Sequence, residues 1–179
     1  MSVAGTEVVL GLGSNVEPEI NLPRAVAGLA GVVEIVRLSR VYESDPVGAP
    51  GSPRFLNAAL VARTGATAAQ LKHDLLRPLE SRLGRRRSPD PNAPREIDLD
   101  ILLFGDRVVS DPARHLEIPD PALAWAAHVL LPAAEVAPDA VHPRLGVSLG
   151  RLAARIARPP DMRLRDDLDL TASLGNNAP

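Results

Sequence analysis

The chain has no cysteine, so disulfides, thiolate catalysis and cysteine-ligated zinc are excluded. Lysine is nearly absent as well: Lys72 stands alone, and arginine carries almost all of the positive charge. A Walker-type phosphate loop needs a Gly-Lys pair, and the sequence contains none, which rules out that scheme of nucleotide binding. Aromatic residues make up only 2% of the chain, namely Tyr42, Phe55, Phe104 and Trp125. The core must therefore be built from Leu, Val, Ile and Ala, and a site that stacks on a flat ligand has few residues to use. No apolar run approaches the ~20 residues that cross a bilayer. The stretch Met1 to Leu12 lacks the basic and cleavable apolar segments of a secretory signal. With a formal charge of −2, the chain also lacks the basic excess of a general nucleic-acid binder. The histidines, His73, His115, His128 and His142, are too scattered for a zinc site. These absences describe a cytoplasmic protein that partners neither membrane nor nucleic acid, and it is expected to be a monomer.

What is present suits one domain. A chain of 179 residues buries roughly 70% of its unfolded surface. Residues 1–158 are expected to form that domain, and the stretch 159–179, rich in Pro, Asp and Asn, reads as a loosely held tail. Glu7 to Leu12 predicts a short strand that breaks into a turn at Gly11-Leu12-Gly13-Ser14-Asn15. Asn21-Leu22-Pro23-Arg24 reads as an N-cap with proline in the first turn, and Gly31 ends that helix. Val32 to Tyr42 is rich in β-branched residues and predicts one strand, and Glu43 to Arg54 is a loop. Phe55 to Thr64 predicts another strand, with Leu56, Ala58, Leu60 and Ala62 on its apolar face and Phe55 and Asn57 opposite. Thr67-Ala68-Ala69-Gln70 is a capping box opening a helix to Leu83, with Leu71, Leu75 and Leu79 in one stripe and a kink at Pro78. The order strand-helix-strand-strand-helix-strand is that of a ferredoxin-like α+β sandwich, an antiparallel sheet in βαββαβ order, with additional C-terminal helices after Gly105. Two helices cover one face of such a sheet and leave the other for ligands.

The most telling segment runs Pro94-Arg95-Glu96-Ile97-Asp98-Leu99-Asp100-Ile101-Leu102-Leu103-Phe104. Side chains alternate along a strand, so Ile97, Leu99, Ile101 and Leu103 are expected on one face and Asp98 and Asp100 side by side on the other. Adjacent carboxylates repel unless a cation lies between them, and Mg²⁺, a hard oxygen-seeking ion, is the usual one. Arg85-Arg86-Arg87 lie just upstream and Arg95 opens the strand; guanidinium forks match phosphate oxygens. The combination points to a metal–phosphate site and to phosphoryl transfer. The same spacing recurs at Asp167-Leu168-Asp169 without an arginine loop or a long apolar strand, and there it reads as solvated surface. Taken alone, the arginine run is either a phosphate contact or a solvated loop. The glycine segment after the first strand either cradles a phosphate or simply turns. Phe55 either stacks on a heterocycle or packs beneath the loop before it. Asn57 beside it has the groups to read a heterocycle's polar edge.

Together these segments resemble the 6-hydroxymethyl-7,8-dihydropterin pyrophosphokinase family. The matching pieces are Gly13-Ser14-Asn15, Ser39 to Gly48, Phe55-Leu56-Asn57-Ala58, Leu79 to Arg85, Ala93 to Gly105, Ile118-Pro119 and Glu135-Val136-Ala137-Pro138, in the family's order. The resemblance implies the ferredoxin-like fold and the transfer of pyrophosphate from ATP to the pterin's hydroxymethyl oxygen, releasing AMP, in folate biosynthesis. It implies that Asp98 and Asp100 hold two Mg²⁺ ions and that Arg85, Arg87 and Arg95 contact phosphates, with Arg85 and Arg95 stabilising transition-state charge. Glu80 and Ile101 fall where the family touches the nucleotide. Ser44, Asp45, Val47, Phe55 and Asn57 fall on the pterin-site positions, and the arginine loop is expected to close over ATP.

The sequence departs from the family pattern at Asn92, where many members carry tryptophan, at Asp120, where histidine is common, and at Ala126, where familiar members place an arginine on the nucleotide. His128 replaces the second pterin-stacking aromatic; an imidazole still stacks, so it stays among the pterin-binding residues. The alternative reading is a non-catalytic pterin- or nucleotide-binding module of the same fold. A metal-dependent phosphohydrolase would need a water-activating base near the aspartates, and none is evident.

Overall fold

In the computed structural model, which describes residues 5–48, 51–86, 88–90 and 93–175, the apolar run near the start becomes the central strand β1 (Thr6–Ser14). It pairs antiparallel with β4 (Phe55–Thr64) on one side and β5 (Asp98–Phe104) on the other. Strands β2 (Glu34–Leu38) and β3 (Tyr42–Ser44) both pair with the outer edge of β4. Strand β10 (Arg163–Leu164) extends the sheet beyond β3. Helix α1 (Pro18–Ala30) joins β1 to β2. Between β4 and β5 run α2 (Ala68–Gln70), a π-helical segment (Leu71–Leu76) and α3 (Arg77–Arg82). The expected combination of an antiparallel sheet with helices is thus observed. After β5 come the hairpin β6 (Val109–Asp111) and β7 (Leu116–Ile118), helix α4 (Ala127–Val136), the hairpin β8 (Val141–His142) and β9 (Val147–Ser148), and helix α5 (Leu149–Ala153). No helix among the described residues is long and apolar enough to cross a membrane.

Both sheet faces are buried, by different layers. Val8, Leu10, Leu12, Leu56, Ala58, Leu60, Ile97, Leu99 and Ile101 pack against Leu22, Val26 and Leu29 of α1 and against Leu71, Leu76 and Leu79. On the other face Val9, Ala59, Val61, Leu102 and Leu103 pack against Leu130, Ala133 and Val136 of α4 and Leu149 and Leu152 of α5. The face expected to be open is therefore covered along part of its length, and only its remaining end can receive a ligand.

Several local expectations change, each for an identifiable reason. The strand expected over 32–42 is two strands, because Ser39 interrupts the ladder: its Oγ accepts the Ala59 N–H at 2.9 Å and donates to Arg40 O at 2.7 Å. The helix expected from Asn21 begins at Pro18, after Glu17 in the left-handed region; Asn21 instead donates from Nδ2 to Val16 O at 2.7 Å. The capping box at Thr67 and Gln70 forms as expected. Beyond it the wider π turn, with its five-residue spacing, moves the buried stripe from Leu71, Leu75 and Leu79 to Leu71, Leu76 and Leu79. Pro78 directly follows the π turn, and Leu76 and Arg77 before it keep right-handed helical dihedrals, so the helical segment runs on through the proline. In β5 a bulge opposite Val9 and Leu10 inserts one residue. As a result Leu103 joins the α4 face and Phe104 takes its place on the α1 face.

Between Pro159 and residue 175, the last one described, the chain is tied to the sheet at several points. Arg163 and Leu164 pair with β3, Arg165 N–H donates to Val41 O at 2.9 Å, and Met162 and Leu170 are buried. Asp167 and Asp169 are exposed surface groups, as expected. The side-chain hydrogen bond from Arg165 holds the Asp167 carboxyl down at about 2, and Asp169 caps a short 3-10 turn by accepting from Thr171.

Candidate active site

Where the α4–α5 layer ends, the sheet surface is left bare by glycine. Gly11 lies between Ala59 and Asp100, and Gly13 between Asn57 and Asp98. A Cβ on Gly11 would stand 3.2 Å from Leu102 Cδ2, and one on Gly13 would stand 3.5 Å from Asn57 Oδ1. The two glycines are thus the floor of a cleft of about 310 Å³. Because β1 continues through both of them to Ser14, they do not form the anion-cradling turn that the sequence left open.

Asp98, Asp100 and Arg95 line one side of the cleft, and Phe55, Asn57, Ser44, Asp45 and Val47 line the other. Asp120, Ala122, His128 and Val129 border it from the α4 end, and Asn15 lies at the end of β1. Strand alternation accounts for the aspartates, which precede the bulge and keep their expected face. The Ser14–Asn15 corner holds the start of the arginine side. Ser14 Oγ donates to Glu96 O at 2.6 Å, and Arg95 N–H donates to Asn15 Oδ1 at 2.7 Å. The backbone N–H groups of Asn15 and Val16 donate to Arg95 O.

Charge is concentrated at Asp98. Arg95 Nη1 lies 2.7 Å and Arg85 Nη1 3.5 Å from its carboxylate oxygens. Arg85 also donates to Ile97 O at 2.9 Å, while its buried Nε–H meets no acceptor among the described residues. Burial, and then the neighbouring Asp100, push the Asp98 carboxyl above its usual range against the pull of both arginines. Lys72 Nζ sits 2.9 Å from Asp100 Oδ1. Across the cleft, Asn57 Nδ2 donates to Ser44 Oγ at 3.0 Å, which turns Asn57 Oδ1 toward Gly13 and the cleft. Burial lowers the His128 pKa and keeps the imidazole neutral near pH 7.

Residues 9–138 match the model of the 7,8-dihydro-6-hydroxymethylpterin-pyrophosphokinase (HPPK) family. The chain belongs to this family. It is 36% identical over 169 residues to the 2-amino-4-hydroxy-6-hydroxymethyldihydropteridine pyrophosphokinase of Synechocystis sp., covering 93% of this chain and 84% of that one. It is 36% identical over 137 residues to the protein of the same name from Aquifex aeolicus, covering 76% and 83%. Among solved structures, the HPPK-DHPS of Plasmodium falciparum aligns with a TM-score of 0.68 at 12% identity, over 89% of this chain and 48% of that one. That likeness is one of fold, and this chain spans about half the length of the solved one.

In this pyrophosphokinase the cleft brings together Ser44, Asp45, Val47, Phe55, Asn57, Arg95, Asp98, Asp100 and His128. Arg85 reaches the same group through Asp98. Two expected nucleotide contacts do not present side chains to the cleft. Ile101 is packed in the α1-side core because it has the opposite strand parity to the aspartates. Glu80, only 2% exposed, instead accepts the Leu99 N–H at 2.8 Å from the far edge of β5. Arg87 and Asn92 lie outside the described residues. Sequence reasoning passed over Lys72, although its being the only lysine was a usable signal, and it gave Asp120 no role beyond a departure.

Asp120 supplies a test of the site's electrostatics. Burial, and then the charge of Asp100, push its carboxyl up to about 6, opposed by Lys72 and by a hydrogen bond from Ala122 N–H, with Asp98 adding to the rise. A raised folded pKa on an acid destabilises the fold once the group must ionise, so the cost is absent below about pH 4 and complete above about pH 6. Asp120→Asn, which keeps an oxygen for Ala122 N–H, is expected to add on the order of 2 kcal/mol at pH 7.5 and nothing at pH 4. Urea unfolding at the two pH values with a chelator present checks this; equal gains at both would overturn it.

Proposed function

We propose that this cleft transfers pyrophosphate from ATP to the hydroxymethyl oxygen of 6-hydroxymethyl-7,8-dihydropterin and releases AMP, as the names of its relatives lead one to expect. The observation that carries the reading is one cleft with ion-paired carboxylates and arginines on one side and Phe55, Asn57 and His128 lining the rest. Phe55 and His128 supply flat surfaces for the pterin. Asn57, its amide N–H engaged by Ser44, presents an acceptor to an N–H on the heterocycle's edge. Arg85 and Arg95 then hold the phosphate chain by charge and by their fork geometry. We read the sheet as a ferredoxin-like sandwich whose second strand is broken into β2 and β3, a reading supported by the flanking of β1 by β4 and β5.

The donor chemistry suits Mg²⁺. Asp98 and Asp100 offer hard carboxylate oxygens, and the burial that raises Asp98 is a cost that a cation would relieve. No group of three or more His, Asp or Glu among the described residues is arranged to hold a metal. That matches Mg²⁺, which is commonly bound by one or two carboxylates and completed by substrate phosphates and water. We propose that the pair holds two such ions, which when bound neutralise charge on the transferring phosphates. The chain's own part is to align the two substrates and exclude water between them.

The test is direct: purified protein, Mg²⁺, ATP and the pterin, followed by chromatography for AMP. AMP that forms only with the pterin present supports the transferase, with Phe55→Ala raising KM for the pterin at least tenfold and leaving that for ATP within about twofold. Pterin binding without AMP would overturn it in favour of a binding module.

A further inference from the structure

Strand β5 is an edge of the sheet, and an edge strand leaves backbone groups without a neighbouring strand. At Leu99 two side chains from the preceding helical segment take that neighbour's place. Glu80 Oε1 accepts the Leu99 N–H at 2.8 Å, and Lys72 Nζ donates to Leu99 O at 2.8 Å. Lys72 goes further, donating to Asp100 Oδ1 at 2.9 Å. Its side chain is only 12% exposed, against 45% for Asp100. Among the described residues no donor reaches Asp100 Oδ2. One oxygen of Asp100 is thus held from behind by a fixed cation while the carboxyl remains open to the cleft. With Arg85 and Arg95 on Asp98, each member of the pair already has a positive partner supplied by the protein.

Resting on the reading of the pair as metal ligands, we propose that Lys72 is a positioning residue and built-in counter-cation: it fixes Asp100 and keeps the site weak for a bare divalent ion, so that the metal enters with the nucleotide. Lys72, Arg85 and Arg95 place three fixed positive charges on the carboxylate pair, and these would oppose an uncomplexed divalent cation. A metal–triphosphate complex brings negative charge of its own and meets those same cations as an attractive field.

The test measures binding of Mn²⁺ alone by electron paramagnetic resonance, without substrates. Lys72→Met, which removes the charge and keeps the length, is expected to bind Mn²⁺ about tenfold more tightly than the unaltered protein. Lys72→Gln, a second uncharged variant, should do the same, and Lys72→Arg should leave the affinity unchanged. With a non-cleavable ATP analogue bound, the advantage of the Met variant should shrink to within about threefold, since the phosphates then supply the attraction. No tightening in the uncharged variants, or equal tightening in Lys72→Arg, would overturn the proposal. Asp100→Asn separates this from failure of the underlying reading. If Mn²⁺ binding survives that change, the carboxylate pair is not the metal site. If it is lost while the uncharged Lys72 variants remain unaltered in affinity, only the role of Lys72 falls.

Discussion

Asp98→Asn is expected to lower AMP formation by about 10³-fold while leaving the protein folded. The substitution keeps the side chain's shape and one oxygen, and removes the negative charge on which the site's other groups are arranged. Arg95 at 2.7 Å and Arg85 at 3.5 Å lose the partner that aims them, and a hard anionic donor disappears from the pair. Stability should not follow turnover down. Burial already disfavours the ionised Asp98 in the folded state, so a neutral amide removes a desolvation cost while surrendering the ion pairs. Turnover measured beside thermal unfolding settles the matter: near-normal AMP formation by a folded variant would remove Asp98 from the mechanism.

The aspartates were readable from sequence because the signal behind them is geometric. A period of two holds along any strand, and the bulge that breaks it in β5 falls after Asp100, so Asp98 and Asp100 escape it while Leu103 does not. Phe55 and Asn57 lie on their expected face for the same reason, since β4 pairs with β1 from Leu56 to Thr64 and with β3 from Phe55 to Asn57 without a shift. Lys72 was hidden by the opposite circumstance. A helix read at 3.6 residues per turn assigns Leu75 to the buried stripe, whereas the π turn advances the stripe to Leu76. Side chains beyond Leu71 in that segment then sit differently from a regular α-helical reading. The contact that Glu80 makes with the Leu99 N–H was hidden for another reason: resemblance supplies a residue's company but not the side of the strand from which it approaches. The break at Ser39 depends on a hydroxyl standing in for a backbone carbonyl, which composition does not reveal. The docking of the segment after Pro159 depends on an edge offered by β3, a feature that exists only once the sheet has formed.

Arg95→Lys is expected to lower kcat by about 10²-fold with little change in KM for ATP. The backbone of Arg95 is tied to the β1 corner on both sides, donating to Asn15 Oδ1 at 2.7 Å and accepting from Asn15 N–H at 3.0 Å. A side-chain substitution therefore leaves the arginine segment in place. Lysine preserves the charge but replaces a planar fork with a single ammonium, so it can still attract the triphosphate without matching two of its oxygens at once. Ground-state binding depends mainly on total charge, which Arg85 continues to share, whereas the transition state demands direction. The loss should accordingly appear in kcat. A raised KM for ATP with kcat intact would instead assign Arg95 to nucleotide capture. That result would leave Arg85, with its buried Nε–H lacking an acceptor among the described residues, as the group that meets developing charge.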